Sequence, residues 1–150
     1  MIGQAGLRIE SCPNVLIENI LVTGTSGYGI EMLSSQVTLR GATISDNILD
    51  GLNYKSDLNL NYCTISYSLF TYNGGYGIYF HNESSNVSVT QESGNRFYLN
   101  TAGSMGGNPT SISANPPVED KDPMYTDKIN YLIGTASPLY NTGIGYQRVP

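Results

Sequence analysis

The chain has no tryptophan and a single histidine, and charged residues make up only 13% of it, about half the usual share. Asn, Ser, Thr, Gly and Tyr stand in their place. That balance suits stacked polar ladders, where like charges would repel along a column. No apolar run reaches the length of a membrane span. Nor is there a basic patch, and the formal charge of −5 with a pI near 4.6 disfavours nucleic acid as a partner. The same charge makes a bare polyanion an awkward ligand unless a cation bridges it. With only two cysteines, Cys12 and Cys63, compartment is not readable from thiol content, and no disulfide between them is expected. Cys63 takes an inward strand slot that suits a small hydrophobe, and Cys12 falls in a turn. Disorder would fit a polar, Gly-rich composition, but 12 tyrosines and regular apolar pairs argue against it.

What is present is a repeat. Ala5-Gly6-Leu7-Arg8-Ile9, Tyr28-Gly29-Ile30-Glu31-Met32, Asp50-Gly51-Leu52-Asn53-Tyr54 and Tyr76-Gly77-Ile78-Tyr79-Phe80 share one pattern, and their glycines lie 23, 22 and 26 residues apart. Such a period marks a stacked architecture. Apolar residues spaced by two fill each unit. They are Leu7/Ile9, Val15/Ile17 and Ile20/Val22, then Ile30/Met32, Val37/Leu39 and Ala42/Ile44. Leu52/Tyr54, Leu58/Leu60 and Cys63/Ile65 follow, then Ile78/Phe80, Val87/Val89 and Phe97/Leu99. Each pair predicts a short strand with one face in and one out. Three short strands cannot close a core alone. Stacked about 4.8 Å from their equivalents they wind into a coil. The expected fold is all-β: a right-handed parallel β-helix, a solenoid of four to five coils.

The coils are expected over 5–27, 28–49, 50–75 and 76 to about 102, so that 1–102 is solenoid. Tyr67–Tyr72 reads as an aromatic insertion in the third coil, and the fourth is widened around Thr90–Asn95. Residues 103–121 are too rich in Gly and Pro for a strand and read as an irregular loop. The tail, 122–150, carries its own apolar residues and reads as a cap over the C-terminal end. Met1-Ile2-Gly3-Gln4 runs almost directly into the first coil, with no signal peptide. An uncovered β-helix end exposes strand edges, so the expectation is a piece of a longer protein, or an N-terminal end covered by another subunit.

In the tail, Asp122-Pro123-Met124-Tyr125, Tyr131-Leu132-Ile133 and Ala136-Ser137-Pro138-Leu139-Tyr140-Asn141-Thr142-Gly143 resemble the ending of secreted bacterial right-handed β-helix proteins. Asn141 stands where that ending usually has Asp. With the coils, the chain resembles the pectate-lyase-like group, which spans polysaccharide lyases, glycoside hydrolases, uronan epimerases, phage tailspikes and non-catalytic surface proteins. The resemblance implies an extracellular or cell- or virion-surface setting and a polysaccharide partner. It does not choose among these activities.

It also implies a ligand lying along the sheet made by the first strand of each coil. The outward residues there form one column of Arg8, Glu31, Asn53 and Tyr79 and another of Glu10, Leu33, Lys55 and His81, with neighbours about 5 Å apart. Arg8 should meet Glu31, and Lys55 should meet His81. Elimination on a uronic-acid polymer would use Lys55 as base, or Arg8 and Lys55 together to clamp the carboxylate, with His81 or Tyr79 as proton donor. Glu10, Glu31 and Asp50 are the candidate Ca²⁺ ligands, with Glu31, Asn53, Tyr28 and Tyr76 contacting substrate. The plainer account makes Arg8–Glu31 a cross-strand ion pair worth under about 1 kcal/mol and leaves Lys55 and His81 as exposed ladder residues.

Hydrolysis fits less well. Asp46, Asp50 and Asp57 fall at different turns, His81 sits in Phe80-His81-Asn82 rather than Gly-His-Gly, and only Glu10 with Glu31 suggests an inverting pair. The Asp-Pro-His-Glu signature of alginate epimerases is absent. A non-catalytic glycan-binding or spike-like module would stack sugars on Tyr28, Tyr67, Tyr72, Tyr76 and Tyr79. An ice-binding array fails because Leu21 interrupts the slot assigned to Thr43 and Thr64. Asn82-Glu83-Ser84 and Asn86-Val87-Ser88 match the N-glycosylation acceptor pattern, as chance allows in such a composition.

Overall fold

The computed structural model describes residues 3–55, 62–81, 86–89, 94–107 and 122–147. The first coil carries β1 (Leu7–Glu10), β2 (Val15–Glu18) and β3 (Leu21–Thr23), and the second β4 (Ile30–Leu33), β5 (Val37–Arg40) and β6 (Thr43–Ser45). The third carries β7 (Leu52–Lys55), β8 (Tyr62–Ser66) and β9 (Leu69–Thr71), and the fourth β10 (Tyr76–Phe80), β11 (Asn86–Val89) and β12 (Arg96–Tyr98). A further strand, β13 (Gly103–Gly107), and a small hairpin, β14 (Tyr125–Asp127) with β15 (Leu132–Ile133), follow. Equivalent strands stack in parallel into three sheets, β1-β4-β7-β10-β13, β2-β5-β8-β11 and β3-β6-β9-β12. This is a parallel β-helix. Its interior is built of columns such as Ile30, Leu52 and Ile78, or Val22, Ile44, Phe70 and Phe97, all 7% exposed or less.

Two devices hold the register at the corners. A single left-handed residue turns the chain from the second sheet to the third (Asn19, Gly41, Tyr67, Gly94) and another turns it out of the third (Gly24, Asp46, Tyr72, Leu99). Just beyond that second corner, amides stack along the solenoid. The Asn47 side-chain NH₂ donates to Asn73 Oδ1 at 2.9 Å, and that of Asn73 donates to Asn100 Oδ1 at 2.8 Å. Each oxygen also accepts a backbone N–H of the coil before it, from Thr25, Asn47 and Asn73 in turn. The repeating glycines face this corner. A Cβ on Gly51 would lie 2.7 Å from Gly77 O and 2.8 Å from Asn73 Nδ2, and one on Gly29 2.5 Å from Gly51 O and 2.7 Å from Asn47 Nδ2. The period read from the sequence is therefore a steric one.

Several expectations shift by one strand. Cys63 and Ile65 pair with Val37 and Leu39 and belong to the second sheet. The third strand of that coil is Leu69–Thr71, inside the stretch expected as an insertion. Leu58, Leu60 and Asp57 lie outside the described residues, as do Thr90–Ser93 of the widened coil, Asn82-Glu83-Ser84 of one glycosylation pattern and 108–121 of the expected loop. That loop's first residues are β13 itself, paired with β10 from Tyr76↔Gly103 to Phe80↔Gly107. Its glycines, unfavourable in a free strand, admit a ring: a Cβ on Gly106 would sit 2.6 Å from Tyr76 Cζ, the close approach that glycine in a strand signals. Thr43 stacks between Leu21 and Leu69, while Thr64 stacks on Thr38 in another sheet. Cys12 and Cys63 are both free thiols. Burial pushes that of Cys63 up to about 12, which makes it inert as a nucleophile.

The described part of the tail, 122–147, lies along the flank of the third sheet, reaching back to the first coil, rather than over the C-terminal end. Tyr125 OH pairs with Thr71 Oγ1 at 3.0 Å, and Tyr131 OH donates to Asp46 Oδ2 at 2.7 Å while accepting from Thr23 Oγ1. The Tyr146 amide donates to Thr43 Oγ1, and the Asn19 side chain exchanges two hydrogen bonds with the Gln147 backbone. Leu139 and Ile144 pack on Leu69. Thr43, Ser45 and Thr71 point away from the core yet are 1% exposed or less, because this strap covers them.

The glycine corner makes a direct prediction. Gly51→Ala should cost about 1–3 kcal/mol through overpacking, whereas Leu99→Asn, easing a left-handed backbone at φ 48°, should gain up to about 1 kcal/mol. Urea denaturation midpoints of the two variants check both signs. The strap makes another. Burial, ahead of the neighbouring Asp122, pushes Tyr72 up to about 12, and burial is also the largest of the effects that raise Tyr125 and Tyr131. Phenols raised on docking stabilise the docked state fully below their usual value of about 10 and lose that contribution as pH climbs above it. Cleavage within 122–147 by subtilisin, a protease active in alkali that needs no lysine charge, should therefore accelerate above about pH 10, while the solenoid stays resistant.

Candidate functional site

Polar and aromatic side chains converge on the outer face of the first sheet. Alternation along β1, β4, β7 and β10 turns Ile9, Met32, Tyr54 and Phe80 inward and Arg8, Glu31, Asn53 and Tyr79 outward, in strict register. Arg8 Nη1 meets Glu31 Oε2 at 3.1 Å, as the column predicts, and Arg8 Nη2 meets Glu10 Oε2 at 3.1 Å. A shallow recess of about 410 Å³, bordered by Gln4, Ala5, Arg8, Tyr28 and Glu31, opens beside this cluster. Tyr28 precedes the repeating glycine, as Asp50 and Tyr76 do. Burial first, then the charges of Asp50 and Glu31, raise its phenol, so it is a neutral hydrogen-bonding ring at ordinary pH.

Further along, Asn53 is 3% exposed although it points outward. Its side-chain nitrogen lies 3.3 Å from Asp50 Oδ2 and 2.9 Å from His81 Nε2. Asn53 can donate to both, which assigns His81 the tautomer with Nε2 as acceptor and Nδ1 carrying the proton. The Tyr79 ring meets His81 edge-on at 4.8 Å, and Tyr76 lies 5.5 Å from Tyr79. Tyr76, Tyr79 and His81 thus form one aromatic platform bounded by the amide of Asn53. Tyr76 lies across Gly103 and Gly106 of β13, two positions whose glycines read as loop in the sequence.

The expected residues are not all gathered. His81 turns to Asn53 rather than Lys55. Among the described residues, the exposed Lys55 side chain has no ion-pair or hydrogen-bond partner. The three expected calcium ligands are apart in function. Arg8 spans Glu10 and Glu31, and Asp50 Oδ1 accepts the Tyr76 amide at 2.7 Å. Among the described residues no three acidic, histidine or cysteine side chains gather as a metal site would need. Tyr67 and Tyr72, expected as sugar platforms, serve elsewhere: Tyr67 lies under the Arg40 guanidinium and Tyr72 under Lys128, beside the strap.

Asp50 is thus a structural residue and Lys55 is not. Asp50→Ala should lower stability by about 1–2 kcal/mol through the stranded Tyr76 N–H, while Lys55→Ala should stay within about 0.5 kcal/mol of the parent. Thermal unfolding of both variants checks the contrast.

Residues 2–116 match the family model described as a right handed beta helix region. The chain matches no curated protein and no solved structure.

Proposed function

This chain belongs to the right-handed β-helix family, and from that premise and the face just described we propose that it is an extracellular or surface module that binds a neutral polysaccharide along its first sheet. The observation that carries this reading is the platform of Tyr76, Tyr79 and His81 beside Asn53, continued by Tyr28 and the Arg8–Glu31 pair. Aromatic rings receive the C–H faces of sugars, and amides and carboxylates receive their hydroxyls. A parallel sheet spaces such groups evenly, as a repeating polymer requires.

Charge selects the class of polymer. On this face Arg8 and Lys55 stand against Glu10, Glu31 and Asp50, so with a neutral His81 it is one charge negative, on a chain of net charge −5. A uronan would meet repulsion, and Arg8 is already committed to two carboxylates. Chain cleavage by elimination is the second reading. It rests on Lys55, a cation exposed on this face, acting as base with Tyr79 or His81 as proton donor. Against it stands His81, whose Nε2 is held by the Asn53 side chain at 2.9 Å rather than turned toward Lys55.

Affinity electrophoresis against xylan, glucomannan, pectate and alginate tests both readings. The proposal expects retardation by a neutral polymer, weakened about tenfold, or about 1.4 kcal/mol, in Tyr79→Ala, with polymer length unchanged. Retardation only by the uronans, with new ultraviolet absorbance from an unsaturated product that Lys55→Ala abolishes, would replace binding with cleavage.

A further inference from the structure

Beneath the aromatic platform runs a short chain of hydrogen bonds that begins at Asp50. Asp50 Oδ1 accepts the Tyr76 backbone N–H at 2.7 Å, and Asp50 Oδ2 lies 3.3 Å from Asn53 Nδ2. The same Asn53 nitrogen lies 2.9 Å from His81 Nε2, and Asn53 is 3% exposed. One carboxylate thus anchors both Tyr76 and, through an amide, His81. Each contact constrains the next. A carboxylate accepts and cannot donate, so it fixes which end of the Asn53 amide faces it. The opposite amide orientation would set two acceptors 3.3 Å apart in a nearly closed site. So placed, Asn53 turns its second N–H toward His81. Nε2 then carries a lone pair, and the ring proton resides on Nδ1. A flipped imidazole would put a C–H against that N–H instead.

The placement of that proton decides what the ring can do. His81 is exposed, and among the described residues its Nδ1 has no hydrogen-bond partner. Its lone pair is already taken by Asn53, so it offers no base to the face. An uncharged imidazole N–H is also too weak an acid to protonate a leaving sugar oxygen near neutral pH. What it retains is a hydrogen bond to give. We propose that Asp50 and Asn53 are positioning residues that lock His81 as a one-way hydrogen-bond donor, through Nδ1–H, to an oxygen of a bound neutral sugar. The sugar half rests on the polysaccharide reading above, and the placement of the proton on the hydrogen-bond geometry.

The chain holds a single histidine, so the proton is directly readable. Long-range proton–nitrogen correlation spectra of the labelled full chain, at about pH 8 and so above the range where imidazoles ordinarily take up a proton, should show Nδ1 protonated and Nε2 bare. The double variant Asp50→Asn with Asn53→Asp keeps each contact and reverses its polarity. The amide at position 50 still accepts from the Tyr76 N–H, and the carboxylate at position 53 accepts from His81. There the proton should move to Nε2. Retardation by xylan or glucomannan, whichever binds the parent, should weaken at least about fivefold, the loss of one hydrogen bond. A proton on Nε2 in the parent, or one that stays on Nδ1 in the double variant, would overturn the positioning role. Parental affinity in the double variant with the proton moved would overturn the donor role. Retardation of neither chain, with the proton moved as expected, would overturn the polysaccharide reading and the donor role with it, while the proton assignment stands.

Discussion

Everything in this molecule depends on how closely the chain passes itself at one corner. Where each coil leaves the third sheet and begins the first, the backbone of Gly29, Gly51 or Gly77 passes so close to the side chains stacked inside the turn that an added Cβ would fall 2.6 to 2.8 Å from them. On the coils of Gly29 and Gly51 those side chains are Asn47 and Asn73, links in a column of amides that ends at Asn100. Such a ladder fixes spacing and register together. Each carboxamide satisfies the next, and each oxygen also takes up a backbone N–H that the corner would otherwise leave unpaired. A side chain on the glycine would push the coils apart and break both. The stacking of core residues supplies the driving force for burial. The corner decides which residues stack on which.

The candidate site follows from that register. Because coils repeat without slipping, outward residues of the first strand fall into columns, and the chemistry of each column is set by residues about one coil apart in sequence. Arg8 finds Glu31 this way, and Asn53 finds His81 by reaching one place diagonally. The platform at the C-terminal end of the face depends on the same precision. Tyr76 can lie across β13 only because Gly103 and Gly106 present no side chain beneath it. Charges on the face largely neutralise one another, which leaves the rings of Tyr76, Tyr79 and His81 as its recognition groups.

The repeat, the inward pairs Ile30/Met32, Leu52/Tyr54 and Ile78/Phe80, and the Arg8–Glu31 contact were legible from spacing alone, because alternation and period are written directly in the sequence. The third coil was misread by one strand. Its connection is longer, and Cys63/Ile65 fits either the second or the third sheet until register is known. The amide ladder was also within reach: Asn47, Asn73 and Asn100 each follow by three the inward residues Ile44, Phe70 and Phe97. The partner of His81 and the disengagement of the expected calcium ligands were not, since rotamers decide them. The strap was expected at the end of the solenoid because apolar residues were read as needing an apolar face. In fact Thr23, Thr43 and Thr71 bind it through hydroxyls, and that complementarity has no periodic signature.

The central claim is that the first-sheet face, as the corner aligns it, receives an uncharged sugar polymer. A crystal structure of the full chain soaked with a neutral xylo- or gluco-oligosaccharide tests it most directly. The expected result is a sugar chain crossing the strands of the first sheet, with a ring against Tyr79 or Tyr76. An oligosaccharide bound only elsewhere, or a first sheet that accepts only uronate chains through Lys55, would contradict it.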